Sequence, residues 1–191
     1  AMKYVLAGLG LVLACSLAWA EEPSYSYIQA SYVNIEFDSD FADVDGDGIS
    51  AAASIPVNDQ WHVFACYGTS DFEFGVDLDE FAIGGGWHTG ISDRTDFFAT
   101  LGYVSVDASA GGDSFDDDGI GLSAGLRTMV NENFEVYGAI SHVELDAAGD
   151  GTSVGAGLWY TISGNFAVGV GAEFDDDATA IGAGIRLYFD R

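Results

Sequence analysis

Acidic side chains dominate the groups that could do chemistry in this chain. The sequence holds 31 Asp and Glu residues against 5 Lys and Arg and 3 His, so its formal net charge is −26 at pH 7. This balance leaves no basic surface for phosphate contacts, and we expect no nucleic-acid partner. The chemistry to look for is therefore cation binding by carboxylates, or proton transfer by the few histidines.

The most metal-like spacing is that of Asp43, Asp45 and Asp47, which copies the opening of a calcium-binding loop. An EF-hand loop needs a bidentate Glu at its twelfth position, and Ser54 stands there instead. The segment therefore predicts at most a weak divalent-cation site. We expect no resident cofactor, only Ca²⁺ or Mg²⁺ held loosely by the acidic segments. Solvated acidic loops without bound ions are the alternative.

One histidine lies close to carboxylates, because His142 is followed by Glu144 and Asp146. On a strand these alternate residues share one face, where they could transfer protons. The sequence has no partnered Ser or Cys nucleophile motif and no Walker, CxxC, HExxH or dinucleotide-binding motif. We therefore expect no catalytic residue and no enzyme activity. A protease or lipid-modifying enzyme with its site at the rim is the third hypothesis for function.

The elements that would carry these residues form a repeat. Each unit is a glycine-rich segment, a short polar turn and a segment that restarts on an aromatic residue, at Trp61, Phe97, Phe134 and Phe166. Within the segments, bulky apolar residues alternate with Gly, Ala and Ser, which is the period of a β-strand. This pattern predicts about ten strands, with eight as the alternative, near residues 25–36, 48–57, 61–72, 80–91, 96–107, 119–130, 134–145, 152–162, 166–174 and 178–189.

The first twenty residues predict a cleavable signal peptide. Lys3 supplies a positive start, an apolar stretch follows, and Ala18-Trp19-Ala20 forms a small-x-small cleavage site. Cys15 leaves lipoprotein processing as an alternative. Residues 21–191 are then expected to form one domain.

The alternation favours a closed sheet that crosses a membrane. In lipid each unpaired backbone group costs several kcal/mol, so a sheet cannot keep an open edge. The second face of each strand is too small and too uncharged for a surface in water. Short turns near 58–60, 92–95, 131–133 and 163–165 alternate with mostly longer acidic connections, as periplasmic turns and extracellular loops do. We predict an all-β, closed, antiparallel transmembrane barrel in the bacterial outer membrane.

The repeat, the opening YSYIQASY at residues 25–32 and the closing IRLYF at residues 185–189 carry a family resemblance. The chain resembles the small porin-like outer-membrane barrels of the OmpA/OmpX-like superfamily, and within them the diffusible-signal-factor-regulated family. The resemblance implies no enzyme activity and no defined ligand. It also implies that Phe189 is the terminal aromatic residue recognised by the barrel-assembly machinery, although Asp190 and Arg191 follow it and depart from the pattern.

In such a barrel the alternation directs five charged or titratable side chains into the lumen near the periplasmic turns: His62, His88, Arg127, Glu135 and Arg186. Across the turn at 131–133, Arg127 should lie opposite Tyr137 and diagonal to Glu135, within reach of both. A charge in a narrow lumen needs a partner. The six residues predict an ion network that acts either as an internal plug or as a selectivity constriction.

These observations favour a porin-like protein with a structural role in the envelope, or with limited, cation-favouring diffusion of small solutes. The alternative is an adhesion or recognition protein that acts through its acidic extracellular loops. Outer-membrane lipid and lipopolysaccharide are the expected partners, with the barrel-assembly machinery during insertion. The acidic rim is expected to concentrate divalent cations that bridge lipopolysaccharide phosphates. The oligomeric state is left open.

Overall fold

The computed structural model describes residues 23–37 and 44–189, in which ten antiparallel strands close into one barrel. Each strand pairs with its neighbours in the chain, and β1 pairs with β10 to complete the ring. The prediction of ten strands is confirmed, and the eight-stranded alternative is wrong. The strands are β1 (Tyr27–Phe37), β2 (Val44–Asn58), β3 (Trp61–Phe72), β4 (Val76–Ser92), β5 (Thr95–Ala110), β6 (Asp113–Asn131), β7 (Phe134–Leu145), β8 (Gly149–Ser163), β9 (Phe166–Phe174) and β10 (Ala178–Tyr188).

Alternation along the strands places large apolar side chains on the outside of the barrel. On β5, Leu101 and Tyr103 are exposed on the outer face, whereas Val104 and Val106 are buried inside. Every one of the ten strands contributes exposed apolar residues of this kind. We call this outer surface the apolar belt. The described part of the chain contains no helix long and apolar enough to span a membrane.

The two ends of the barrel differ. Four turns, at 59–60, 93–94, 132–133 and 164–165, form the short-turn end. At the other end, which we call the acidic end, the strands extend further than predicted. The acidic connections there span 73–75, 111–112, 146–148 and 175–177 among the described residues. Gly111 and Gly112 both have positive φ, of 62° and 96°, which suits the tight turn between β5 and β6.

Parts of several predicted acidic loops therefore belong to strands, whereas the connection at 175–177 has the predicted bounds. The reason lies in the sequence of these segments. In β4, Asp77 and Asp79 alternate with Val76 and Leu78, so the period of two continues past the predicted boundary. Leu78 is buried in the lumen, whereas Asp77 and Asp79 stand on the outer wall. Burial of the apolar residues extends the sheet beyond the apolar belt.

Candidate functional site

The predicted ion network lies inside the barrel near the short-turn end. His62, Arg127, Glu135 and Arg186 are at most 1% exposed, and His88 is 8% exposed. Four of them stand a few residues from a short turn, and Arg186 stands two residues before the end of β10 at the same end of the barrel. The structure thus places the five side chains inside the lumen near the short-turn end.

Arg127 and Glu135 form a buried ion pair. In the register of β6 and β7, Arg127 lies opposite Tyr137, and Glu135 lies opposite Met129. The guanidinium donates twice to Oε1 of Glu135, from Nε at 3.1 Å and from Nη2 at 2.9 Å. This diagonal contact is the geometry expected from the alternation.

Arg186 is held by an amide and by aromatic rings. Its Nε donates to Oε1 of Gln29 at 3.1 Å, across the β1–β10 pairing. Its guanidinium carbon lies 4.4 Å from the ring centre of Tyr27 and 4.0 Å from that of Trp159. Tyr188 lies further away, at 5.9 Å. Cation–π contacts of this kind stabilise a desolvated cation.

Tyr25 completes the cluster, and it was not among the predicted site residues. Its ring stacks on His88 at 3.4 Å and on His62 at 4.5 Å between ring centres. Its hydroxyl donates to Oδ2 of Asp96 at 3.3 Å. Burial raises the pKa of the Tyr25 hydroxyl, although Arg127 opposes the shift, so the group stays protonated and able to donate.

Two further lumenal residues could have been predicted from the alternation. Trp159 and Tyr188 share the small-residue face of their strands, which the alternation already directs into the lumen. Tyr25 precedes β1, and nothing in its local pattern indicates the histidines and the aspartate that surround it. Only the closed ring brings those distant strands around it.

The glycines that face the lumen do not leave free space there. A side chain at Gly86 would overlap the ring of His62, and one at Gly169 would overlap the ring of Trp159. Gly84 and Gly102 both face the ring of Phe64. Large rings in the lumen thus pack against glycines on nearby strands of the ring. These glycines make room for the rings and do not leave a channel.

The half of the lumen toward the acidic end is filled by an apolar cluster. Its buried members are Val33, Ile35, Phe37, Leu78, Ala82, Val104, Val106, Ala108, Val143, Leu145 and Ala180. Three carboxyl groups of the described residues are also buried in this half: Glu173, which accepts a hydrogen bond from Ser153; Asp117, which accepts from the backbone N–H groups of Ala147 and Ala148; and Glu80. The lumen is therefore closed by apolar side chains in one half and by the ion network in the other.

Between the two closures lies a small cavity of about 70 Å³. Its polar lining comes from Gln29, Ser31, Ser50, Tyr137 and Glu173, and glycines of β9 and β10 form much of the rest. This volume suits a few water molecules that hydrogen-bond to the polar lining. It is too small for a solute pathway.

Two residues of the predicted divalent-cation segment lie on the outer wall. Asp45 and Asp47 are exposed on β2, and Asp43 lies outside the described residues. Alternate residues of a strand are about 6.6 Å apart along it, so β2 is not shaped like a calcium loop. The described residues include no group of three or more His, Cys, Asp or Glu side chains that could hold a metal ion. Loose binding of Ca²⁺ or Mg²⁺ stays a prediction.

His142 and Phe189 also face outward. Nδ1 of His142 lies 2.9 Å from Oγ1 of Thr152 on the neighbouring strand, and Glu144 is exposed on the same face. Phe189 follows β10 at the short-turn end, is 56% exposed, and donates its backbone N–H to the carbonyl of Ser26 at 3.1 Å. Its part in barrel assembly stays a prediction.

An apolar belt around a closed ring of strands and a charged interior define a membrane-spanning β-barrel. The chain matches the family described as "Outer membrane protein beta-barrel domain" over residues 5–189. It belongs to this family, whose members reside in the bacterial outer membrane. A comparison with curated protein sequences finds no match.

Solved structures share the fold at low sequence identity. The translocator domain of the autotransporter NalP from Neisseria meningitidis is 7% identical with a TM-score of 0.52, covering 87% of this chain and 89% of that one. The KdgM porin in complex with disordered oligogalacturonate is 8% identical with a TM-score of 0.52, covering 85% and 99%. Neisserial surface protein A is 15% identical with a TM-score of 0.48, covering 87% and 98%. Likeness at these identities shows the fold alone.

Proposed function

We propose that the protein is a closed outer-membrane barrel with a structural role in the envelope. The observation that supports this proposal is the double closure of the lumen. Arg127 and Arg186 are buried in the ion network, and the apolar cluster fills the other half. A hydrated ion would have to displace both layers, and packed interiors resist such displacement.

Planar-bilayer recording tests the proposal. Purified, folded protein inserted into a bilayer is expected to leave the current at baseline, while a porin in the same bilayer produces steps. Frequent, long-lived steps from the wild-type protein would overturn the closed-barrel proposal.

Cation-favouring diffusion is the second candidate, and the buried carboxyl groups favour it over anion diffusion. Glu80, Asp117 and Glu173 are buried in the lumen, so a path that opened there would pass acidic groups. If wild-type steps are seen, they should select cations, and the variants Glu80→Gln and Glu173→Gln should lower that selectivity. Asp79→Gln is the matched control, because Asp79 neighbours Glu80 but stands on the outer wall.

A recognition role at the cell surface is the alternative, and one feature of the acidic end favours it. Phe74 lies in the turn between β3 and β4, is 82% exposed, and has a positive φ of 66°. Strained backbone conformations of this kind cluster at functional sites, and the exposed ring stands where a partner could contact it. Loss of adhesion on Phe74→Ser with the barrel intact would support this role.

A further inference from the structure

A short segment ahead of β1 enters the lumen at the short-turn end. Pro23, Tyr25 and Ser26 are buried, although none of them belongs to a strand. Tyr25 is 3% exposed, so its ring is inside the barrel and not on the membrane surface. We refer to residues 23–26 as the N-terminal latch.

The latch reaches across the mouth of the barrel. β1 is flanked by β2 and β10, and β6 lies directly opposite in the ring of ten. Even so, Tyr25 contacts the far wall, because its hydroxyl donates to Asp96 on β5 and the Arg127 guanidinium of β6 lies 5.1 Å from its ring centre. One side chain thus spans the lumen.

Tyr25 also contacts the strands that lie between β1 and β6 in the ring. Ser54 of β2 donates its hydroxyl to the carbonyl of Tyr25 at 2.7 Å, and the ring of Tyr25 then covers His62 of β3 and His88 of β4. A single residue therefore closes the part of the mouth bounded by β2 to β6. The Arg186 group, with Tyr27 and Trp159, fills the part bounded by β1, β8 and β10.

The latch lies outside the two ladders that hold β1, although Ser24 forms an isolated bridge. Tyr27 to Phe37 are paired along their full length with β10 and β2, and these ladders do not depend on Tyr25. Within the latch, Ser26 donates its N–H to Oγ of Ser24, and its carbonyl accepts from Phe189. The ring of Tyr25 could leave the lumen without breaking a pair in either ladder.

We propose that residues 23–26 act as a removable latch, which shields His62 and His88 from solvent while the barrel around them stays intact. The inference rests on the proposed closed lumen, because it names the element that closes the mouth on the side of β2 to β6. The histidines face each other there, with ring centres 5.6 Å apart, and stacking on Tyr25 covers both.

Modification of histidine by diethyl pyrocarbonate tests the latch, because the chain has 3 His and they report on different places. His142 is exposed on the outer wall and should react in every variant. In wild-type protein folded in detergent, His62 and His88 should stay unreacted by mass spectrometry. In Tyr25→Ala, both should react faster by about tenfold or more, as expected when a local opening becomes the main state.

Two variants control the experiment. Tyr25→Phe keeps the stacked ring and should keep both histidines protected. Tyr32→Ala removes a tyrosine from the outer face of β1, 53% exposed, and should leave the labelling as in wild type. Each variant is used only as the folded form, which a comparison of unheated and heated samples on a gel is used to identify.

Wild-type protein supplies a test that needs no variant. On slow heating, His62 and His88 should become reactive before the folded gel form is lost. Reaction that begins only when the barrel unfolds, or continued protection in folded Tyr25→Ala, would overturn the latch. If the histidines stay protected in Tyr25→Ala and the wild-type protein conducts no current, only the latch is rejected. If the wild-type protein conducts current while its histidines stay protected, only the closed lumen is rejected.

Discussion

Arg127 and Glu135 show how a barrel interior tolerates charge at the scale of single residues. Both side chains are fully buried, and each supplies the counter-charge that the other lacks in a dry lumen. The guanidinium cannot lose its proton, whereas an unpaired carboxylate can take one up. The two partners are therefore not equivalent when one is removed.

We predict that Glu135→Ala destabilises the barrel more than Arg127→Ala does. Removing one partner of a buried pair costs about 3–5 kcal/mol, and the stranded arginine must keep its charge. Denaturant unfolding in detergent, followed by tryptophan fluorescence, measures both losses. Glu132→Ala, in the exposed turn at 132–133, is the control and should change the free energy of unfolding little. Equal losses for Arg127→Ala and Glu135→Ala would contradict the asymmetry.

The two faces of a strand in this barrel differ in how well they tolerate a larger side chain, as two consecutive glycines of β4 show. Gly84 faces the lumen, where a Cβ atom would meet the backbone of Leu101 and Gly102 and the ring of Phe64. Gly85 faces outward, where the same atom would meet only the carbonyl oxygen of His62, at 3.7 Å. Two adjacent residues of one type thus serve different purposes.

Gly84→Ala should lower the free energy of unfolding by about 1–3 kcal/mol, because the neighbouring strand cannot yield without disturbing its pairing. Gly85→Ala should be neutral or stabilising by about 0.5–1 kcal/mol, since alanine loses less backbone freedom on folding. Denaturant unfolding of both variants under the same conditions measures the two changes in the free energy of unfolding. A larger loss for Gly85→Ala would mean that the two faces of β4 are assigned the wrong way round.

At the scale of the whole molecule, the outer wall divides into the apolar belt and the acidic end. Leu101 lies within the belt on β5, and Ser109 lies on the same outer face of the same strand near the acidic end. Ser109 there donates a hydrogen bond to Asp77. The boundary between these two positions is where the bilayer should end.

Arginine substitutions locate that boundary. Leu101→Arg should cost about 2–4 kcal/mol in protein refolded into phospholipid vesicles, because the charge enters hydrocarbon. Ser109→Arg should cost about 0–1 kcal/mol, since its charge stays in the interface. Folding titrations in the same vesicles compare the two. Similar costs would show that the bilayer does not end between these positions.

The residue pattern predicted about ten strands, a closed sheet and an inward face for His62, His88, Arg127, Glu135 and Arg186. These predictions follow from the alternation of side chains along each strand. The alternation is a local property of the sequence, so it can be identified without knowing the tertiary contacts. Only the tertiary structure shows how the lumen is filled, because this depends on which rings and which glycines of neighbouring strands meet. It also decided the place of Tyr25, whose partners on β2 to β6 come together only when the ring closes.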